Sequence, residues 1–265
     1  MSDFKFKKSL GQNFLQDNNV IHKIVDSANL DKNTLLIEIG PGGGAITRYT
    51  VPLCRHALLY EADSRLEDNL NELLKANNNY SILIGDFLKS NLKEDIVKYN
   101  YSKTYVVANL PYYITTPIIM KFIDSDVLPD KMVVMVQKEV ASRLSASVGS
   151  RDYGSLTVFL NYYYDIKKLF DVSRNCFMPK PNVDSAVVCF DLKKEREKVL
   201  DISLFKKLVR DSFSYKRKTI RNNLKSYDLK IVESVLLKHG FDLGVRSEAL
   251  SLDVFVEMAN ALVLK

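Results

Sequence analysis

The chain has 265 residues, 46% of them hydrophobic and 26% charged, with a formal net charge of +6. This length allows one large domain or a large and a small one, and the basic balance is a mild indication of a polyanionic partner. No apolar run approaches the roughly 18 residues of a membrane-spanning helix, so the sequence predicts no membrane association. The charged start, Met1 to Lys8, lacks the apolar core of a signal peptide, and we expect a cytosolic protein.

The cysteines and histidines indicate no metal site, because they are widely separated and include no CxxC pair. We expect the cysteines to be small buried apolar residues in a reducing compartment. The residues concerned are Cys54, Cys176, Cys189, His22, His56 and His239.

An N-terminal arm, residues 5–17, precedes the first periodic segment. Its apolar residues alternate with lysines and a Gly-Gln-Asn turn. The arm either packs through its aromatic side chains or covers a pocket with Gln12, Asn13 and Leu15, and the residue pattern alone favours packing. A helix capped by Asp17 or Asn18 is predicted over residues 18–28 from the spacing of its apolar residues.

A strand over residues 34–39 runs directly into the glycine-rich turn Gly40-Pro41-Gly42-Gly43-Gly44, and residues 47–51 look helical. A strand, a glycine turn and a helix start are typical of a phosphate or nucleotide loop. The same residues satisfy the G-x-G-x-x-A dinucleotide fingerprint. The turn therefore predicts a cofactor site without deciding which cofactor binds.

Acidic residues mark the ends of three successive predicted strands, namely Glu38, Glu61 after the strand 57–60, and Asp86 in the segment 80–87. Glu61 lies 21 residues after Gly40, the spacing at which an acid can accept hydrogen bonds from ribose hydroxyls. A single acid at a strand end is ordinarily a turn former or cap. Three around one glycine turn suit a ligand with a ribose, an exocyclic amine and a positive charge.

The segment Val106 to Ile114 is predicted to be a strand that stops near Asn109, because Pro111 has no N–H and restricts Leu110. It leaves an uncharged amide and the Tyr112 ring at the carboxyl end of a buried strand, where open α/β sheets bind ligands. Taken alone, this corner is more simply an ordinary strand-to-loop turn.

The remaining pattern predicts an α/β fold with a mainly parallel sheet. A helix over 116–122, a strand over 131–137 and a helix over 138–146 follow, and the apolar run 156–164 is interpreted as a strand region. Residues 186–190 follow without an intervening helix, which favours an antiparallel last strand.

The composition changes at the charged segment 193–198, which we interpret as a linker between a domain over 1–195 and a small helical domain over 200–265. Helices are predicted over 204–213, 219–224, 231–238 and 252–262, with Gly240 as a stop. The densest basic cluster, Lys216 to Arg221, opens one of these helices. It is either a solvated helix face or an RNA contact.

Several motifs taken in order resemble the dimethyladenosine transferases of small-subunit ribosomal RNA, within the class I S-adenosylmethionine methyltransferases. The motifs that carry the resemblance are Leu10 to Leu15, Glu38 to Gly44, Glu61, Gly85-Asp86, Asn109-Leu110-Pro111-Tyr112, Gln137 to Val140, Tyr153-Gly154, Phe177 to Ser185 and Lys216 to Leu224. The match covers nearly the whole chain. It implies a seven-stranded Rossmann-like sheet, a helical C-terminal RNA-binding domain and S-adenosylmethionine as methyl donor.

The resemblance also implies roles for individual residues. The donor pocket would be formed by Asn13, Leu15, Glu38, Gly40, Gly42, Glu61, Asp86 and Asn109. The catalytic corner would be Asn109, Leu110, Pro111 and Tyr112, with Phe177 closing the other face of the target base. RNA contacts would come from Arg143, Arg151, Lys216, Arg217, Lys218 and Arg221. On this reading, the arm becomes a cover over the donor.

The implied reaction is N6,N6-dimethylation of two adjacent adenosines in a hairpin near the 3′ end of 16S rRNA in the small subunit, with a role in subunit biogenesis. The alternatives are a large-subunit rRNA adenine methylase that confers antibiotic resistance, a non-catalytic RNA-binding assembly factor and, from the glycine pattern, a nicotinamide dehydrogenase. Nothing in the pattern addresses oligomeric state, and we expect a monomer.

Overall fold

The computed structural model describes residues 12–264, so the start of the Leu10 to Leu15 motif lies outside the described residues. The chain divides into two compact units. The first contains the described residues up to 141 together with 167–192, and the second contains 142–166 and the residues from 193 onward. Residues 142–166 thus group with the C-terminal helices. That the predicted domains 1–195 and 200–265 are separate functional parts stays a prediction.

The first unit is built on a seven-stranded sheet in the order β4-β3-β2-β5-β6-β9-β7, with a separate two-stranded sheet formed by β1 and β8. The strands are β1 Phe14–Leu15, β2 Thr34–Ile39, β3 His56–Glu61, β4 Tyr80–Ile84, β5 Lys103–Asn109, β6 Lys131–Gln137, β7 Tyr164–Val172, β8 Phe177–Met178 and β9 Ser185–Leu192.

Strands β2 to β6 pair in parallel, whereas β9 pairs antiparallel with β6. This confirms the predicted mainly parallel α/β sheet with an antiparallel last strand. All six residues of β2 are buried, as expected for a central parallel strand that is covered on both faces.

The order of the strands reverses at β2. From β2 the chain first moves outward to β3 and β4, and it then returns to the other side of β2 with β5. Such a reversal leaves a crevice at the carboxyl ends of the two central strands, which is where open α/β sheets bind ligands. In this chain those ends carry Glu38 on β2 and Asn109 on β5.

Helices connect the strands and form most of the second unit. They are α1 Asn18–Ala28, α2 Thr47–Thr50, α3 Glu67–Leu74, α4 Leu92–Ile96, α5 Thr115–Asp124, α6 Lys138–Leu144, α7 Ser155–Tyr163, α8 Ile202–Ser212, α9 Ile220–Asn223, α10 Leu229–Lys238 and α11 Leu252–Val263. Asp17 caps α1 by accepting from the N–H groups of Asn19 and Val20. No helix among the described residues is long and apolar enough to cross a membrane.

One predicted element is wrong. The apolar run 156–164, interpreted as a strand region, forms the helix α7, and the strand is the following segment, β7. A short continuous apolar run does not distinguish a buried helix from a buried strand. Strand β7 lies at the edge of the sheet and carries four charged residues among its nine, with Lys167 and Lys168 exposed, so it lacked the continuous apolar signal of a buried strand.

Contacts within the second unit explain why residues 142–166 belong to it. The hydroxyl of Tyr153 donates to the carbonyl of Leu250, and the N–H of Gly149 donates to the carbonyl of Glu248. The Thr157 hydroxyl at the start of α7 donates to the Arg143 carbonyl at 2.7 Å. The first two bonds tie the loop before α7 to the segment between α10 and α11, and the third joins α6 to α7.

Candidate functional site

A cavity of about 400 Å³ lies at the carboxyl ends of β2, β3, β4 and β5. Its lining includes all eight residues predicted to bind the donor, together with Leu110, Pro111 and Tyr112. The lining residues are Gln12, Asn13, Phe14, Leu15, Glu38, Ile39, Gly40, Pro41, Gly42, Gly43, Ala45, Ile46, Tyr60, Glu61, Ala62, Gly85, Asp86, Phe87, Leu88, Asn109, Leu110, Pro111, Tyr112, Tyr113 and Ile114.

The glycine turn brings its backbone close to the cavity. Gly40 has φ of +70° and Gly42 has φ of +58°, a left-handed conformation that glycine adopts without a steric penalty. A Cβ on Gly42 would lie 3.0 Å from Cε1 of Phe14 on the N-terminal arm. The turn therefore fits closely under the arm only while it carries no side chain at Gly42.

Glu61 is held by the backbone around it. Its Oε2 accepts from the N–H of Gly42 at 2.9 Å, and its Oε1 accepts from the N–H of Asp63 at 2.8 Å. Burial raises the pKa of Glu61, whereas these N–H groups favour its ionised form. A carboxylate has about four acceptor positions, so capacity remains for the hydroxyls of a ligand.

Glu38 is buried beside the cavity, and its Oε2 has no hydrogen-bond partner among the described residues. The pKa of Glu38 is raised to about 8, mainly by burial and to a smaller extent by the nearby Glu61 carboxylate, while the Thr47 hydroxyl acts in the opposite direction. A buried acceptor without a partner is costly unless a ligand completes it. A cationic group is the natural complement.

Asp86 performs the capping role that any strand-end acid can have, because its Oδ1 accepts from the N–H of Leu88 at 2.9 Å. The side chain is nevertheless exposed to the cavity that it lines. Capping uses one carboxylate oxygen, and the second can accept from a ligand amine.

Only one of the two polar groups of the Asn109 amide has a hydrogen-bond partner among the described residues. Its Nδ2 donates to the backbone carbonyl of Asn13 at 3.1 Å, and its Oδ1 is buried without a partner among the described residues. Since a carbonyl can only accept, the NH₂ group must face Asn13. The amide oxygen is therefore the atom left to interact with a ligand.

Tyr112 is half-buried at the cavity, and its hydroxyl forms a 2.6 Å hydrogen bond with the Ser185 hydroxyl at the start of β9. Burial raises the pKa of Tyr112. Ser185 was not predicted as a site residue, although it closes the Phe177 to Ser185 motif that carried part of the resemblance. Its contact joins residues 73 positions apart.

Phe177, predicted from the resemblance to close the second face of the target base, lies beside the arm. Its side chain is buried, it does not line the cavity, and β8 pairs it with Leu15 of the arm. A role for Phe177 in closing the second face of a target base stays a prediction that this position does not favour.

Known proteins resemble this chain over nearly its whole length. The family model for ribosomal RNA adenine dimethylase matches residues 3–263. The chain belongs to the ribosomal RNA adenine dimethylase family. Enzymes of this family are S-adenosylmethionine-dependent rRNA methyltransferases.

Two relatives named ribosomal RNA small subunit methyltransferase A are each 42% identical to this dimethylase-family chain. The protein of Listeria welshimeri aligns over 270 residues, covering 98% of this chain and 91% of the relative. The protein of Staphylococcus aureus aligns over 264 residues, covering 96% and 89%.

Two solved structures share the fold of this dimethylase-family chain. A dimethyladenosine transferase from Plasmodium falciparum has a TM-score of 0.78 at 26% identity and covers 92% of this chain and 95% of its own. The 23S rRNA methyltransferase ErmE has a TM-score of 0.75 at 25% identity and covers 95% and 100%. The Rossmann-like class I methyltransferase fold is confirmed.

The cavity of this dimethylase-family protein fits S-adenosylmethionine better than a dinucleotide. Three acidic side chains, Glu38, Glu61 and Asp86, line it, and their negative charge would repel the pyrophosphate of a dinucleotide. The Glu38 oxygen without a partner suits a cationic ligand, and the paired acceptors of Glu61 suit ribose hydroxyls. These observations argue against the nicotinamide alternative.

All six residues predicted to contact RNA lie in the second unit, and each is exposed. Lys216 reaches the carbonyl of Arg151 at 3.4 Å, which brings two of the predicted residues together. Lys216 to Lys218 form a turn, and α9 begins only at Ile220. The Asn223 side chain donates to the carbonyl of Ser212 at the end of α8 and to that of Tyr215 directly before this turn, which limits the freedom of the turn.

The structure also shows a contact between the arm and the end of β3. The Gln12 side chain donates to Asp63 at 3.0 Å, and Asp63 is buried and paired with Arg65. The sequence singles out Gln12 in the Gly-Gln-Asn turn of the arm, but no local pattern could identify its partner Asp63, which is 51 positions away.

Proposed function

We propose that this protein transfers methyl groups from S-adenosylmethionine to N6 of two adjacent adenosines in a hairpin near the 3′ end of 16S rRNA, within the small ribosomal subunit. The observation that carries the proposal is the Asn109 amide, whose NH₂ is held by the arm and whose oxygen has no partner among the described residues. That oxygen provides an acceptor for an exocyclic amine beside the acid-lined cavity.

The residues assigned to the donor divide the cavity by chemistry. Glu61 would hold the ribose hydroxyls, Asp86 the adenine amine and Glu38 the amino group. Gly40 and Gly42 would admit the methionine part, and Asn13 and Leu15 would cover it. When bound, S-adenosylmethionine supplies an electrophilic methyl group on a cationic sulfur.

The chain's own contribution is to prepare the target nitrogen. N6 of adenine is a poor nucleophile because its lone pair is delocalised into the ring. The Asn109 Oδ1 and the Leu110 carbonyl would accept its two N–H groups and draw the nitrogen toward tetrahedral geometry. Alignment of this kind can contribute about 7–11 kcal/mol.

A tuned general base is not required by this chemistry, because the methylated nitrogen is acidic and loses its proton to water after transfer. An amide suits the position because it accepts hydrogen bonds without carrying charge. Dimethylation requires the monomethyl product to use the same Asn109 acceptor with one N–H remaining.

Tyr112 would stack on the target base after the base has left the RNA stack. Base–aromatic stacking contributes about 1–3 kcal/mol per base. The hydrogen bond between Tyr112 and Ser185 supports this role because it fixes the ring before the base arrives. Pro111 sets the start of the turn that carries the ring.

Sequence identity to known proteins favours the small subunit as substrate, whereas similarity of fold does not distinguish the small from the large subunit. The Plasmodium falciparum enzyme and ErmE resemble this chain almost equally, with TM-scores of 0.78 and 0.75. The relatives at 42% identity, by contrast, are named for the small subunit. We further propose a cytosolic monomer that acts during small-subunit biogenesis, with the exposed basic residues of the second unit contacting RNA.

The test is methylation of purified particles with labelled donor. We expect dimethyladenosine in digests of small subunits from a strain that lacks the modification, and none in digests of large subunits. Asn109→Ala should bind small subunits as the wild type does but lose transfer by about 100-fold or more, because it removes an acceptor for the reacting amine.

Two outcomes would contradict the proposal. Label in the large subunit alone would favour the antibiotic-resistance methylase, and no label in either particle with tight RNA binding would favour the assembly factor. Wild-type transfer by Asn109→Ala would refute the mechanism while leaving the substrate assignment intact.

A further inference from the structure

We propose that Phe177 is a positioning residue that orients the Asn109 amide through the N-terminal arm, and not a stacking face for the target base. This inference rests on the proposed function, since it assigns Asn109 Oδ1 the role of acceptor for the target amine. It also predicts effects on donor binding that can be measured without any RNA.

The first step is the polarity of the amide. An asparagine side chain can present either its oxygen or its NH₂ group after a half-turn about the last bond. Here the Asn13 carbonyl accepts from Nδ2 at 3.1 Å, so the arm selects the orientation in which Oδ1 is the uncommitted end. If the Asn13 carbonyl were displaced, the amide could turn over and present its NH₂ group to the target amine. Two hydrogen-bond donors would then face each other and no hydrogen bond could form.

The second step is what holds the Asn13 carbonyl in place. Asn13 directly precedes β1, and β1 pairs antiparallel with β8 in the register Phe14 to Met178 and Leu15 to Phe177. The N–H of Gln16 donates to the Cys176 carbonyl at 2.8 Å, which extends the same pairing. The position of the arm at Asn109 is therefore set by β8.

The third step is which side chain anchors β8. Phe177 is 3% exposed and Leu15 is 4% exposed, and both belong to one buried apolar cluster. Met178, the next residue, is 58% exposed, as the alternation of side chains along a strand requires. Phe177 is thus the buried side chain of β8, and it pairs with Leu15 on the arm.

These contacts separate two roles that a loss of activity alone would not distinguish. A residue that stacks on the target base needs an aromatic ring, and its loss should weaken RNA binding and reduce turnover. A residue that anchors β8 needs only buried apolar volume, and its loss should also weaken donor binding. The donor effect follows because Asn13, Phe14 and Leu15 line the cavity. An aliphatic side chain should therefore serve as an anchor but should not replace a ring that stacks on the base.

The experiment compares Phe177→Ala, Phe177→Leu and Met178→Ala in the full chain. S-adenosylhomocysteine affinity is measured without RNA by calorimetry, and turnover is measured with small subunits at saturating donor. For Phe177→Ala we expect donor affinity to fall about tenfold, as when the competent arm position is populated in about one molecule in ten. Its turnover should fall about 100-fold, since a small misplacement of a reacting group has that effect.

Phe177→Leu should restore both quantities to within about threefold of wild type, since a leucine of similar volume can fill an apolar site. Met178→Ala should match the wild type, because it shortens an exposed side chain on the same strand. Leu15→Ala, on the other half of the pair, should reproduce Phe177→Ala. The side-chain amide signal of Asn109, identified by its absence in Asn109→Ala, should lose its protection from hydrogen exchange in Phe177→Ala.

Loss of turnover in Phe177→Leu with unchanged donor affinity in every variant would overturn the inference in favour of base stacking. If Phe177→Ala does not fold, Phe177→Leu and the amide signal in Leu15→Ala still decide between the two roles. Failure of the wild type to methylate any RNA would refute the proposed function. The donor affinities and the amide signal would still report on the anchor.

Discussion

Glu38 is a carboxyl group whose protonation is controlled by the fold. In the folded protein its pKa is raised to about 8 by burial, against an ordinary value of 4.5. Between these two values the folded state keeps a proton that the unfolded state releases. Folding stability attributable to Glu38 therefore decreases as the pH rises through this window, by about 1.4 kcal/mol per pH unit.

Glu38→Gln should remove this pH dependence, because an amide does not titrate. We expect the unfolding free energy of the variant relative to wild type to increase between pH 5.5 and pH 8, measured by denaturant unfolding. Donor affinity should show the reverse effect. It should rise with pH in the wild type as Glu38 ionises, and be weaker and nearly independent of pH in the variant.

The matched control is Glu72→Gln, which replaces an exposed carboxylate paired with Lys75. It should follow the wild type at every pH in both measurements. Parallel stability profiles for Glu38→Gln and wild type would show that Glu38 is ionised in the free protein.

At the scale of elements, the glycine turn and the arm form one wall of the cavity. The turn needs positive φ at Gly42, and the Phe14 ring occupies the space where a side chain would go. Neither β2 nor β1 alone would show this constraint. It arises because the arm returns across the turn.

Gly42→Ala should therefore have two consequences. The left-handed backbone conformation should cost about 1–2 kcal/mol of stability, and displacement of Phe14 should weaken donor binding by about tenfold. Gly149→Ala provides the control, since Gly149 also has positive φ, at +80°, but nothing lies within 4 Å of its Cβ position. It should lose similar stability in thermal unfolding and keep wild-type donor affinity. Equal donor affinity in both variants would show that Phe14 moves aside freely.

For the whole molecule, chemistry and charge are divided between the two units. The acid-lined cavity lies in the first unit, and the exposed cations Lys216, Arg217 and Lys218 lie in the second. None of these three pairs with an acid among the residues that the structure describes. Such unpaired cations bind phosphates with release of counterions, so their contribution should depend strongly on salt.

Replacing Lys216, Arg217 and Lys218 together by alanine should weaken RNA binding and reduce the slope of log affinity against log salt by about 2–3. Donor affinity without RNA should be unchanged. Lys230→Ala, which removes an exposed lysine from α10 of the same unit, should change the slope by less than one third of that amount. An unchanged slope in the triple variant, measured by a salt titration of RNA affinity, would assign the cluster to a solvated face.

The sequence predicted the elements whose signals are local. The strands at 34–39 and 131–137 were predicted at their observed bounds, and helix α1 was predicted with its cap, because apolar spacing and capping residues are read within a short window. The failure at 155–163 has the same origin. A short apolar run is compatible with both structures, and the charged residues interspersed along β7 obscured its strand signal.

By itself, the sequence determined the acids at three strand ends, the glycine turn and the Asn109 corner, because each depends on residues near one another in the chain. Only the tertiary structure decided that Asn13 holds the Asn109 amide across 96 residues, that Ser185 holds Tyr112 and that Phe177 is buried under the arm. Contacts between distant residues depend on strand order and register, which no local window contains. The chemical groups of the site can therefore be identified from the sequence, whereas their orientation is determined by the fold.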